Sequence, residues 1–188
     1  MLLVRHTSSW QDIPGDFDTS DAEAYAHIVK NLRDGRGIAE IGLWEGRSFC
    51  SLIAECQQRQ RSHMLYGIDT FSGSSNQIGQ QVVAANTDLM SRCKHNITAT
   101  GYNYWMLINA ESVTASSYFI DHSLGCAFID ATHTREALTR DIRAWLPKIR
   151  KGGYIAGHDY TWKEVSVTVN DLLGKVDVIG SCWIALVR

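Results

Sequence analysis

Two short stretches of this chain carry side chains at spacings that suit chemistry. In "CAFIDATH" an apolar run ends at Asp130, and His133 stands three residues further on. In "YIAGHDY" the next apolar run ends at His158 and Asp159. Adjacent parallel strands place Asp130, His158 and Asp159 at one rim. Two carboxylates and an imidazole there can hold Mg²⁺ or Mn²⁺. Such an ion lowers the pKa of a hydroxyl that it chelates and fixes it for attack. His133, titrating near neutrality, is placed to take that hydroxyl's proton. Structural roles compete with each assignment. Asp159 can be the N-cap of a helix starting near Tyr160 or Thr161, and Asp130 a loop acceptor. His158 can be a satisfied buried histidine, and His133 a cap or surface residue before the helix "TREALTRDIRAW".

A third stretch, "IAEIGLWEGRSFC", sets Gly42 and Gly46 between an apolar run and an amphipathic one. In open parallel sheets ligands bind beyond the carboxyl ends of the strands, where glycine lets backbone turn tightly and approach a ligand. The next apolar run ends at Asp69, placed to accept hydrogen bonds from ribose hydroxyls. A nicotinamide dinucleotide needs a pyrophosphate cradle, usually G-x-G-x-x-G. In "GLWEG", Glu45 points a negative charge toward those phosphates. S-adenosylmethionine has no phosphate and carries a positive sulfonium, so it tolerates an acidic rim. Of the two, the methyl donor fits better.

The elements that must position these residues alternate. Short apolar runs at 38–41, 63–69, 104–109, 126–130 and 154–157 read as strands. Helical periodicity falls between them, at 20–33, from about Arg47, at 134–149 and around 162–172. The helix at 20–33 opens with Ser20 and Glu23 as a capping box. Such alternation implies right-handed crossovers and a parallel sheet covered on both faces, an α/β three-layer sandwich. At the end, "VDVI" and "CWIALV" flank Gly180-Ser181, a two-residue hairpin signal that makes the last strand antiparallel to its neighbour. No repeat or linker divides the chain, so 1–188 reads as one domain: an N-terminal helical segment to residue 36, then a core.

Composition narrows the function further. A net charge of −2 leaves no electrostatic footprint for nucleic acid or an anionic membrane. No apolar stretch is long enough to span a bilayer, and the N-terminus lacks a signal-peptide pattern. Five cysteines without a CxxC pair read as reduced, buried thiols, and the expected location is the cytoplasm.

The blocks "AEIGLWEGRS", "YGIDTF", "INAES" and "FIDATHTREALTRDIRAWLPKIRKGGYIAGHDY" together resemble class I S-adenosylmethionine-dependent methyltransferases. The resemblance is to the small-molecule O-methyltransferase branch that includes macrolide-sugar and cephalosporin-type enzymes, and it covers roughly residues 20–188. It implies a seven-stranded, mostly parallel Rossmann-like sheet. It assigns Glu40, Gly42, Gly46 and Ser48 to the methionine part of the cofactor, Asp69 with Thr70 and Phe71 to the ribose, and Ala110, Glu111 and Ser112 to the adenine. Trp44, within the glycine turn, either walls the methionine pocket or packs on the helix that follows. At the position of His158 the sugar enzymes of the branch usually carry an acid, and imidazole suits Mg²⁺ poorly. The implied activity is methyl transfer to a hydroxyl of a small molecule (sugar, polyol or natural product), with Asp130 and His133 catalytic. A homo-oligomer is compatible with the resemblance. With about 36 residues before the first strand, the substrate cover is small or absent, and residues 72–103 are expected to supply a helix and a lid. An NAD-linked oxidoreductase and a non-catalytic binding module of the same fold remain the rival readings.

Overall fold

A computed structural model of the protein describes residues 9–32, 34–73 and 88–188. Helix α1 (Thr19–Asn31) begins at a capping box, but not the expected one. Asp18 is the N-cap: its carboxylate accepts from the amides of Ser20 and Asp21 at 2.7 and 3.1 Å. Asp21 in turn accepts the Asp18 amide at 3.0 Å. The pair Asp18/Asp21 prevails over Ser20/Glu23 because Asp21 is buried and has further partners described below.

Strand β1 (Gly37–Ile41), helix α2 (Arg47–Gln58) and strand β2 (Leu65–Asp69) form the first crossover unit. Helix α3 (Leu89–Ala99) and strand β3 (Trp105–Asn109) follow. Then come the short helix α4 (Ser112–Ser116), strand β4 (Leu124–Ile129) and helix α5 (Arg135–Trp145). Strand β5 (Ile149–Gly157), helix α6 (Lys163–Leu173) and the hairpin β6 (Asp177–Ile179) and β7 (Cys182–Leu186) complete the chain. The sheet order is β3-β2-β1-β4-β5-β7-β6, with β7 antiparallel to both its neighbours and the other pairings parallel. The expected seven-stranded fold is present.

Two apolar layers sandwich the sheet. On one face α1, α2 and α3 bury Tyr25, Ile28, Phe49, Leu52, Ile53, Cys93 and Ile97. On the other, α5 and α6 bury Leu138, Ile142, Trp145, Val165 and Val169. The helix expected within 72–103 is α3, packed into the core, while residues 74–87, on which the expected lid falls, lie outside the described residues. All five cysteines are buried and unpaired. Among the described residues no helix is long and apolar enough to cross a membrane.

Candidate active site

The sheet's parallel strands end along one line, and the loops beyond them enclose a cleft of about 760 Å³. Gly42, Ser48, Asp69, Thr70, Ala110, Glu111, Ser112, Asp130, His133, His158 and Asp159 all line it. The sequence-marked residues thus converge, with three exceptions. Glu40 is fully buried beneath the loop, its carboxylate accepting from Tyr25 Oη at 2.6 Å and Ser48 Oγ at 2.5 Å. Burial raises its pKa to about 8, against the pull of those two hydrogen bonds. It supports Ser48 and faces away from the cleft. Gly46 does not reach the cleft either: it is the left-handed N-cap of α2 (φ 86°), with Cys93 of α3 against its Cα. Phe71 packs on the core.

The turn between β1 and α2 is built around Asp69. One of its oxygens accepts from the amides of Leu43 and Trp44 at 2.7 and 3.0 Å, the other from Phe71 at 2.7 Å. Trp44 is thereby held at φ 51°, unusual for a residue with a Cβ, and lines the cleft. Gly42 serves chain packing more than ligand approach. A Cβ there would lie 1.9 Å from the carbonyl oxygen of Asp130. Glu45 also departs from expectation. It is buried away from the cleft and pairs with Arg92 at 3.0 Å, so it places no charge near a bound cofactor.

Across the cleft, Ser112 and Asp141 form a polar pair. Ser112 Oγ accepts the Trp145 indole N–H at 3.0 Å. Asp141, also in the lining, has its pKa raised by burial, with Ser112 acting in the opposite sense. Sequence reading missed Asp141 because its i, i+4 partner Trp145 marks that helix face as core.

The far rim gathers Asp130, His133 and Asp159. His133 Nε2 lies 2.7 Å from Asp159 Oδ2 and 3.9 Å from Asp130 Oδ1. One ligand atom from each of the three lies within 4.8 Å of the others. Burial disfavours the charged imidazole, but Asp130 and Asp159 outweigh it and raise the His133 pKa to about 9. The same contacts hold the Asp159 carboxyl well below the usual range, although burial opposes them. The expected near-neutral His133 is therefore replaced by an imidazolium between two carboxylates at pH 7. Neither cap assignment survives: Thr134 caps α5, α6 starts after Trp162, and Asp159 sits at φ 59° facing the histidines.

His158, the expected third metal ligand, is engaged elsewhere. Its Nε2 is 3.2 Å from Asp21 Oδ2 on α1, with Nδ1 3.4 Å from Asp159 and 4.0 Å from Asp130. Burial opposes its charge, but Asp159 and Asp21 raise its pKa to about 10. Among the described residues two sets close up as possible cation sites: Asp130 and Asp159 with His133 in place of His158, and His158 with Asp21 and Cys182 in the core. The first of these lines the cleft. Its two carboxylates and one nitrogen fit Mn²⁺ better than Mg²⁺.

An N-terminal strap completes the walls. Arg47, in the first turn of α2, donates to the carbonyls of Gln11, Ile13 and Phe17 at 2.8, 2.7 and 2.6 Å. This pins residues 11–17 so that Pro14, Gly15, Asp16 and Phe17 line the cleft, and the Phe17 ring packs 5.6 Å from that of His158. The N-terminal segment thus supplies a short wall of the cleft. The segment's lack of periodicity hid it from sequence reading.

Residues 39–160 match the family model described as a methyltransferase domain. Among solved structures, the O-methyltransferase NovP is similar at TM-score 0.66 and 15% identity, over 90% of this chain and 80% of its own. Calicheamicin methyltransferase CalS11 is similar at TM-score 0.69 and 16% identity, over 88% and 78%. A putative rRNA-methylase from Clostridium thermocellum is similar at TM-score 0.63 and 13% identity, over 93% and 99%. At such identities the likeness is one of fold, and the fold serves different acceptors.

Proposed function

Since the chain belongs to the methyltransferase-domain family, we propose that it transfers a methyl group from S-adenosylmethionine to a hydroxyl of a small molecule. Membership sets aside the NAD-linked reading. The observation that carries the acceptor class is the Asp130–His133–Asp159 cluster, which follows strands β4 and β5 and lines the same cleft as Asp69. A nucleic-acid acceptor fits poorly. The net charge is −2, Arg47 is spent on backbone carbonyls, Arg140 sits beside Asp141, and the cleft also presents Asp16 and Glu111.

The acceptor oxygen attacks the sulfonium methyl in line. The new C–O bond forms as the methyl–sulfur bond breaks, S-adenosylhomocysteine leaves, and the hydroxyl proton passes to His133 Nδ1, because Nε2 is buried against Asp159. With the His133 pKa raised to about 9, its neutral form is about 1% of the population at pH 7 and rises tenfold per pH unit until that value. The carboxylates orient the ring and stabilise it once protonated. A divalent ion held by Asp130, His133 and Asp159 would instead supply Lewis-acid activation of the hydroxyl. That ion and the imidazolium proton exclude each other.

The test is transfer of isotope-labelled methyl from S-adenosylmethionine to a panel of small hydroxyl compounds and to structured RNA, between pH 6 and 9.5, with and without excess EDTA. The proposal expects labelled ether on a small hydroxyl compound, a rate rising toward pH 9, and no effect of EDTA. His133→Ala should lower the rate at pH 9 by ~10²–10⁴. Loss of activity in EDTA transfers hydroxyl activation to the metal. Label on RNA alone, or cofactor binding without turnover, contradicts the proposal.

A further inference from the structure

The residues between β5 and α6 break two local rules within four positions. Asp159 adopts φ 59°, a conformation that residues with a Cβ rarely take. Trp162 occupies the N-cap of α6 and makes no side-chain hydrogen bond there. That position favours Ser, Thr, Asp or Asn, whose side chains satisfy a free helical amide. Nor does Trp162 repay the lost cap by burial, for it is 49% exposed. An indole that neither caps its helix nor enters the core is not placed there by folding. Sites where local rules fail without compensation are where function is expected.

Its surroundings indicate what it does. The indole packs against His133, ring centroids 4.9 Å apart at 59°, and so borders the rim where a hydroxyl would be activated. It lines both the cleft and an adjoining hollow shared with Arg135, Lys163, Glu164 and Val167. Two polar groups of that hollow already have partners. The Arg135 guanidinium pairs with Asp171 at 2.8 Å, and Glu164 accepts the Arg135 amide at 3.0 Å. What this rim offers a ligand is the apolar face of Trp162, continued by the half-exposed Val167. An acyclic polyol has no flat face to lay on an indole. A ring does.

We propose that Trp162 is the stacking wall of the acceptor subsite, and that the acceptor is a hydroxyl-bearing ring laid on the indole with its hydroxyl directed at Asp130, His133 and Asp159. This rests on the methyl-transfer reading only for what then happens to the hydroxyl. The stacking itself needs no cofactor.

The test follows the Trp162 indole N–H resonance of ¹⁵N-labelled protein, identified by its loss in Trp162→Phe. The probes are a methyl pyranoside, catechol and the acyclic polyol ribitol at equal concentration, with and without S-adenosylhomocysteine. The expected result is saturable movement of that resonance by at least one ring compound and none by ribitol. The two ring arms separate a saturated from an aromatic acceptor. Trp162→Ala should bind the responding ring at least tenfold more weakly, with Trp162→Phe recovering most of the affinity. Trp162→Ser, which supplies the missing cap, should raise Tm by roughly 2–4 °C while losing ring binding. A resonance unmoved by either ring, equal movement by ribitol, or unaltered affinity in Trp162→Ala overturns the proposal. Failure of S-adenosylhomocysteine to bind would instead overturn the methyl-transfer reading and leave the ring result standing.

Discussion

At the scale of single residues, the charges around His133 and His158 tie the site to stability. Both histidines have folded-state pKa values above their ordinary 6.5, about 9 and about 10 respectively. Their contribution is therefore fully present below pH 6.5 and is lost as pH rises through 9 to 10. Asp159, held low by the same partners, contributes above the usual carboxylate range and loses that contribution as acid protonates it. Together the two histidines should lower the unfolding free energy by on the order of 5–7 kcal/mol between pH 6.5 and 10. His133→Gln should flatten that slope, as read by urea titration at several pH values. An equal slope in the mutant would show that His133 is neutral in the folded protein. Asp130 and Asp159 were legible as neighbours because strand ends collect side chains at one rim, but the histidine expected between them was His158, where the structure sets His133. The engagement of His158 was not legible, because Asp21 comes from α1, whose sequence advertises only a helix start.

At the scale of elements, the strand, glycine turn, helix and strand ending in aspartate were legible from pattern alone, but not what the glycine does. Its reason lies in a chain segment distant in sequence. The Asp130 carbonyl at the end of β4 occupies the space a Gly42 side chain would need, and φ is 89°. Gly42→Ala combines overpacking with a disfavoured dihedral, together on the order of 2–4 kcal/mol. Tm should fall by roughly 5–15 °C at this chain length. A Tm within about 2 °C of wild type would mean that the turn and the β4 end part freely. Asp69 shows the same limit of sequence. Its position at the end of β2 marks a ligand contact, yet in the structure it holds three backbone amides of the loops on either side.

For the whole molecule, the mostly parallel sheet and the antiparallel β7 were readable because periodicity reports burial and Gly180-Ser181 fixes the hairpin, whereas the strand order comes from the structure. The strap over the cleft was not readable. Beyond the single 3-10 turn Trp10–Asp12 it has no regular structure, and it is held by Arg47 reaching back to three carbonyls and by the buried Ile13 and Phe17. The methyl-transfer proposal requires this strand-end cleft to hold S-adenosylmethionine beside Asp130, His133 and Asp159. Isothermal calorimetry with S-adenosylhomocysteine, with NAD⁺ as control, tests it most directly. The account predicts one S-adenosylhomocysteine per chain, no heat with NAD⁺, and affinity about tenfold weaker or worse in Asp69→Asn. No binding of S-adenosylhomocysteine to the folded protein, or binding of NAD⁺ in its place, would contradict it.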